Sequence, residues 1–122
     1  MPLTDANSIL PRLDLGNLVE RRELTQHITS RTGFVAGEII GIIAELKDAV
    51  LLFNRGGRPV RLEGFGIFTP SIKLNGTINI TFRPDKELIQ AINKKDAYNG
   101  RIKNKQYLKK SLEELEALAA GE

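Results

Sequence analysis

The chain contains no cysteine. Disulfides and thiolate metal sites are therefore excluded, and the absence fits a reducing cytoplasm. Long hydrophobic runs are missing too: nothing approaches the about 18 consecutive apolar residues that would suggest a membrane-spanning helix. The first residues, MPLTDANSILPRLD, lack a basic start followed by an apolar core, so no signal peptide is expected. There is a single histidine, His27. A catalytic base needs an orienting partner and a nucleophile, and none is recognisable around it, so it reads as a solvated or packed helix histidine. No Walker loop, G-x-G-x-x-G, H-E-x-x-H or Cys/His cluster occurs. Acidic residues are scattered, without a pair set to face an apolar pocket. No cofactor is expected, and enzyme is the least supported class.

What is present describes one small domain with tails, over 122 residues. Its 41% hydrophobic and 27% charged residues are ordinary for a globular protein. A net charge of +3 and a pI near 9.3 modestly favour an acidic partner such as nucleic acid. Residues 1–17 hold Pro2 and Pro11 and no helical period, and read as an extended or irregular extension, with an added strand open. A first helix is expected over Leu18–Arg31, capped by Asn17 with Glu20 as the reciprocal partner. Thr32-Gly33 stops it, Gly33 being suited to a left-handed cap. A second helix, Ala36–Arg55, carries Ile39, Ile42, Ile43, Leu46, Ala49, Val50 and Phe53 at helical spacing. Leu51 and Leu52 widen that stripe until it nearly encircles the last turns. A helix apolar on more than one face is buried on more than one face, and a chain this small needs another subunit to do it. Gly37 and Gly41 mark close helix packing. Val35 stands where a polar cap would be expected.

The stretch Gly56–Phe68, GGRPVRLEGFGIF, organises the middle of the chain. Gly56-Gly57 ends the helix. Val60 and Leu62 then alternate with Arg58 and Arg61, a short strand with one apolar and one basic face. Glu63-Gly64 turns the chain into a second apolar run, with Phe65 between Gly64 and Gly66 where the backbone must bend. Farther on come Phe82-Arg83-Pro84-Asp85-Lys86 and a short helix over Asp85–Asn93, with Pro84 at its start and Leu88, Ile89 and Ile92 toward the body. Two helical segments, V-x-L-x-G-F-G-x-F and an F-[KR]-P-x-K element in this order resemble the bacterial histone-like HU and integration host factor family over residues 18–93.

That resemblance implies an α+β fold: two helices, a small antiparallel sheet with a β-hairpin arm, a short closing helix, and an intertwined dimer with a saddle of strands. It also implies double-stranded DNA as partner and a place in the cytoplasm, on the nucleoid. The arm departs from the family. Only 13 residues separate Phe68 from Phe82, less than half of what the pattern implies. The family's tip proline, which wedges between base steps, has no counterpart, since Pro70 lies near the hairpin base. Asn75-Gly76 is the turn signal. Keeping the apolar residues on one face favours pairing Leu74 with Ile78, Ile72 with Ile80 and Pro70 with Phe82.

Residues 94–122 change composition. Between Lys94 and Lys110 there are seven cations against Asp96 alone, interleaved with Tyr98 and Tyr107. Phosphate contact and a merely solvated tail both fit this pattern. Ser111-Leu112-Glu113-Glu114 resembles a capping box for a last, acidic helix with Leu112, Leu115 and Leu118.

The expectation is a homodimeric architectural protein that binds DNA with little sequence preference. Its DNA contacts would be Arg58, Arg61, Lys73 and Arg83 on the body and Lys86 by resemblance, with Lys94, Lys95, Arg101 and Lys103 from the basic stretch. Asp85 replaces a glycine of the family there. Phe53, Phe65, Phe68 and Phe82 would form the dimer core. The alternative is an HU-like dimeric module that has lost DNA binding or bending and contacts protein instead.

Overall fold

The computed structural model describes residues 9–109 and 112–119. Ser111, the expected cap of the last helix, and the first eight residues of the N-terminal extension lie outside that range. The chain divides into two compact units: residues 18–98, and the two flanking segments up to 17 and from 99.

The larger unit opens with α1 (Arg21–Arg31) and α2 (Ala36–Arg55). Helix α1 starts three residues later than the caps suggest. Leu18 and Val19 are exposed and Glu20 is the capping residue, with extended backbone. Starting at Arg21 brings Glu23 into the first turn, where the helix dipole favours an acid. At the other end Gly33 does not take the left-handed conformation. Thr32 closes the helix instead: its hydroxyl donates to the Ile28 carbonyl at 2.9 Å and accepts the Phe34 N–H at 3.2 Å. Val35 offers no side-chain cap to α2, but Glu38 reaches back to accept the Val35 N–H at 3.1 Å.

Helix α2 ends as its glycines require. The Arg58 N–H bonds the Phe53 carbonyl and the Gly57 N–H bonds the Asn54 carbonyl, with Gly57 at φ 79°. This is a Schellman closure. Asn54, buried, then ties the helix to the sheet: its Nδ2 donates to the Arg58 carbonyl at 2.9 Å and the Phe68 carbonyl at 3.3 Å.

Three antiparallel strands follow in the order β2 (Val60–Leu62), β3 (Gly66–Ile72) and β4 (Ile78–Pro84). The hairpin register differs from the expected one by two residues: Ile72 pairs with Ile78, Pro70 with Ile80 and Phe68 with Phe82. A two-residue shift leaves every side chain on its expected face, so burial alone could not distinguish the two registers. Turn chemistry decides. Gly76, at φ 88°, closes a three-residue loop of Leu74-Asn75-Gly76, with Lys73 and Thr77 bonded across its neck at 2.9 Å. Leu74 is thereby left at the tip, fully exposed.

Helix α3 (Lys86–Ile92) comes next, with Asp85 at its cap. Pro84 belongs to the end of β4 rather than to the first helical turn. Leu88, Ile89 and Ile92 are about half exposed rather than turned into a core. Ile39, 5% exposed, is the only buried apolar side chain among the described residues. Along α2, Ile42, Ile43, Leu46, Leu51, Leu52 and Phe53 remain 39 to 64% exposed.

In the smaller unit, β1 (Arg12–Asp14) pairs antiparallel with β5 (Arg101–Lys103), placing Leu13 opposite Ile102. Asn104, left-handed at φ 56°, donates from Nδ2 to the Leu10 carbonyl at 3.1 Å. A single 3-10 turn over Lys105–Tyr107 and the helix α4 (Leu112–Ala119) complete it.

Gly66 is the tightest point of the sheet. A Cβ built there would lie 2.8 Å from a Phe82 ring carbon and would meet the Arg83 carbonyl oxygen, which as backbone cannot step aside. Gly66→Ala is expected to cost about 1–3 kcal/mol, or more, whereas Gly16→Ala, which meets nothing within 4 Å, stays within about 0.5 kcal/mol. Thermal melts of the two variants check this.

Candidate nucleic-acid interface

Strand alternation puts Arg61 between the half-buried Val60 and Leu62, on the outer face of β2. Cross-strand pairing then sets Ile67 opposite both Arg61 and Arg83. The two arginines therefore flank one isoleucine in a single row across the sheet. Lys73 shares that face, six residues along from Ile67 and so about 20 Å away. Lys86 begins α3, just beyond the end of β4.

Asp85 organises the near end of this row. It is buried, and its Oδ1 accepts from Arg61 Nη2 at 3.1 Å. Its Oδ2 accepts the Gly64 N–H at 3.0 Å, and its own N–H donates to the Phe65 carbonyl at 2.8 Å. One residue thus holds the 63–65 turn, the start of α3 and the Arg61 guanidinium together. The Arg61 side chain is still 66% exposed, so the ion pair leaves much of it facing solvent. The result is an open cleft of about 610 Å³, bordered by Arg61, Arg83 and Lys86 and equally by Glu63, Asp85 and Glu87. Its charge is mixed rather than basic.

The other expected contacts are dispersed. Arg58 is not on the strand as expected: the glycine closure of α2 holds it in the turn between Arg55 and Val60, its guanidinium 5.3 Å from the centre of the Phe53 ring. That cation–π distance suits a cation resting on an aromatic face. Lys94 and Lys95 are exposed after α3, within the 18–98 unit. Arg101 and Lys103 lie on β5 in the other unit, where Lys103 Nζ is 3.8 Å from Asp14 Oδ1. The basic stretch is therefore not one element. Tyr98 and Tyr107 within it are half-buried. Of the four phenylalanines, Phe68 and Phe82 stack at 4.9 Å with planes tilted by 44°. Phe53 and Phe65 stay 41% and 56% exposed, alongside the open faces of α2 and the turn.

Two residues that matter here carried no clear signal. Asp85 was visible only as an acid in a glycine's place, and its partner lies 24 residues away. Asn54 looked like an ordinary polar residue in a helix's last turn.

A helical pair, a three-stranded antiparallel sheet with a projecting hairpin and an arginine row on its outer face make this an α+β protein of HU type. A family described as an HU domain fused to a winged helix-turn-helix, Ig or glycine-rich motif (HU-HIG) matches residues 4–99. The chain belongs to that family. The match begins at residue 4, so it takes in most of the N-terminal segment that the motif resemblance left outside. No curated protein matches the chain.

Because Asp85 clips the turn to the helix start, Asp85→Ala is expected to cost about 1–3 kcal/mol, the partly buried Gly64 N–H losing its acceptor. Arg61→Ala, removing a largely solvated partner, should cost no more than about 1 kcal/mol. Urea titrations of both variants measure the difference.

Proposed function

We infer that the protein is a homodimeric architectural DNA-binding protein of the HU type, with a shortened arm, that associates with the nucleoid in the cytoplasm and acts as no enzyme. The observation that carries this is the row of Arg61 and Arg83 across one sheet face, continued by Lys73 and Lys86, in a chain of the HU-HIG family. Such a row contacts phosphates and reads few bases, so sequence preference is low. Arg58, Lys94, Lys95, Arg101 and Lys103 would add charge around it.

Dimerisation is supported by the uncovered apolar surface of α2. Gly41, Ile42, Leu46 and Ala49, together with Glu38 and Glu45, line a shallow depression on that helix, and a Cβ at Gly41 would meet nothing within 4 Å. A second helix can approach closely there. Phe53 and Phe65 with the Phe68–Phe82 pair would join the same interface. Sedimentation is expected to give a dimer at micromolar concentration; a well-folded monomer would overturn it.

Duplex DNA should bind with little dependence on sequence. With on the order of 6–10 phosphate contacts, affinity falls by about 10³–10⁵ between 50 and 200 mM salt. Arg61→Ala and Arg83→Ala weaken binding to all sequences alike, read by fluorescence anisotropy. Bending is expected to be weaker than in long-armed members, since no proline is at the tip. Strong bending that Leu74→Ser removes would instead make the tip leucine a wedge.

The mixed charge of the cleft favours a second reading, an HU-like dimer that contacts protein and not DNA. Glu63, Asp85 and Glu87 offset the three cations there. No binding to duplex at 50 mM salt would decide for it.

A further inference from the structure

The three-stranded sheet has two edges, and they differ. The β2 edge is three residues long, follows Pro59 and carries Arg61 at its centre. Shortness, proline and charge are the usual means of keeping a sheet edge from pairing. The β4 edge is less protected. It runs seven residues, all exposed, with Arg83 its only charge and Pro84 only at its end.

The hydrogen-bonding groups of that edge follow from the register. The Lys73 N–H bonds the Thr77 carbonyl, so Lys73 and Thr77 form a bonded pair at the loop. Bonded and non-bonded pairs alternate along an antiparallel ladder. Asn79, Thr81 and Arg83 therefore turn their main-chain groups inward to β3. Ile78, Ile80 and Phe82 turn theirs outward. Pro70, which has no N–H to give, sits opposite Ile80, where none is needed.

We propose that the free edge of β4 pairs antiparallel with β4 of a second copy about a two-fold axis through Ile80. Ile80 of one copy then lies opposite Ile80 of the other, and Ile78 opposite Phe82. All three outward-facing residues of each strand meet outward-facing residues, and no proline opposes them. Centring the axis on Thr81 would instead set Ile78 against Pro84 and leave bonds unmade. Side chains agree with the Ile80 centre. Ile78, Ile80 and Phe82 of both copies fall on one face and extend the apolar row of Phe68, Pro70 and Ile72. On the other face Asn79 meets Thr81 and Arg83 meets Thr77, so no like charges are opposed. A self-complementary surface of this kind fits a second copy of the same chain. The pairing is independent of DNA and of the α2 interface; where that interface also forms, each dimer has two such edges and assembly continues beyond four chains.

Two measurements without DNA test it. The chain lacks cysteine, so Ile80→Cys supplies one reporter. Opposed residues of a bonded pair have Cα atoms about 5.5 Å apart, inside the disulfide range of about 4.4–6.8 Å. Diamide should cross-link this variant at least tenfold faster than Gln26→Cys, an exposed site on α1. Equal rates would overturn the pairing. In the second test, Asn79→Lys with Thr81→Lys sets like charges opposite each other, as does Asn79→Glu with Thr81→Glu. Each double variant, folded by circular dichroism, is expected to stay at most an α2-paired dimer at concentrations where wild type grows to a larger mass by light scattering. An equimolar mixture of the two should reach that larger mass. Wild type that does not grow with concentration, or variants that grow as it does, would overturn the proposal.

Discussion

A helix of twenty residues that is apolar around most of its circumference has to be covered, and this constraint shapes the rest of the larger unit. Its end is fixed with care. The Gly56-Gly57 closure turns the chain back, and the buried Asn54 amide binds both the outgoing segment and β3. The sheet can only lie where that junction puts it. One side of α2 is thus partly covered from within the chain, while Ile42, Leu46 and Leu52 remain open. Those side chains are already about half buried, so covering the rest would add on the order of 1 kcal/mol each, a reserve that a single chain leaves unused.

Electrostatics at the sheet is a compromise between holding an arginine and offering it. Asp85 holds the Arg61 guanidinium by one 3.1 Å bond and places its other oxygen on the Gly64 N–H. In the proposed phosphate contact, a guanidinium held in this way would lose less rotamer freedom but would arrive partly neutralised. Asp85 bonds Arg61 and the Gly64 N–H, so the two arginines flank Ile67 as an unequal pair. The neighbouring Glu63 and Glu87 keep the local charge near balance.

The hairpin separates two influences that usually act together. Apolar alternation assigns a face to each side chain, and the folded hairpin keeps that assignment. Register was set by something else, the left-handed glycine of a three-residue loop. Burying Leu74 would have favoured a different pairing, yet it stands at the tip because the turn geometry outweighs one leucine at the open end of the hairpin.

Much of the fold was legible in residue order. The span of α2, its glycine stop, the basic-apolar alternation of Val60–Leu62 and the bend around Phe65 all follow from local periodicity and backbone freedom, which neighbouring residues determine. Where α1 begins was less legible: Asn17 offered a polar cap, yet the helix starts at Arg21 with Glu20 as its capping residue and no side-chain cap bond. The arginine row was half visible: alternation set the face of Arg61, but only strand pairing could bring Arg83 across Ile67 to join it. Asp85 and Asn54 were not legible at all. Their partners lie up to 24 and 14 residues away, and a contact at that separation exists only once the chain has folded. Local residue order settles which segments can form helix, strand and turn. Tertiary structure decided which polar atoms meet, because buried hydrogen bonds are chosen by where the packed elements bring them.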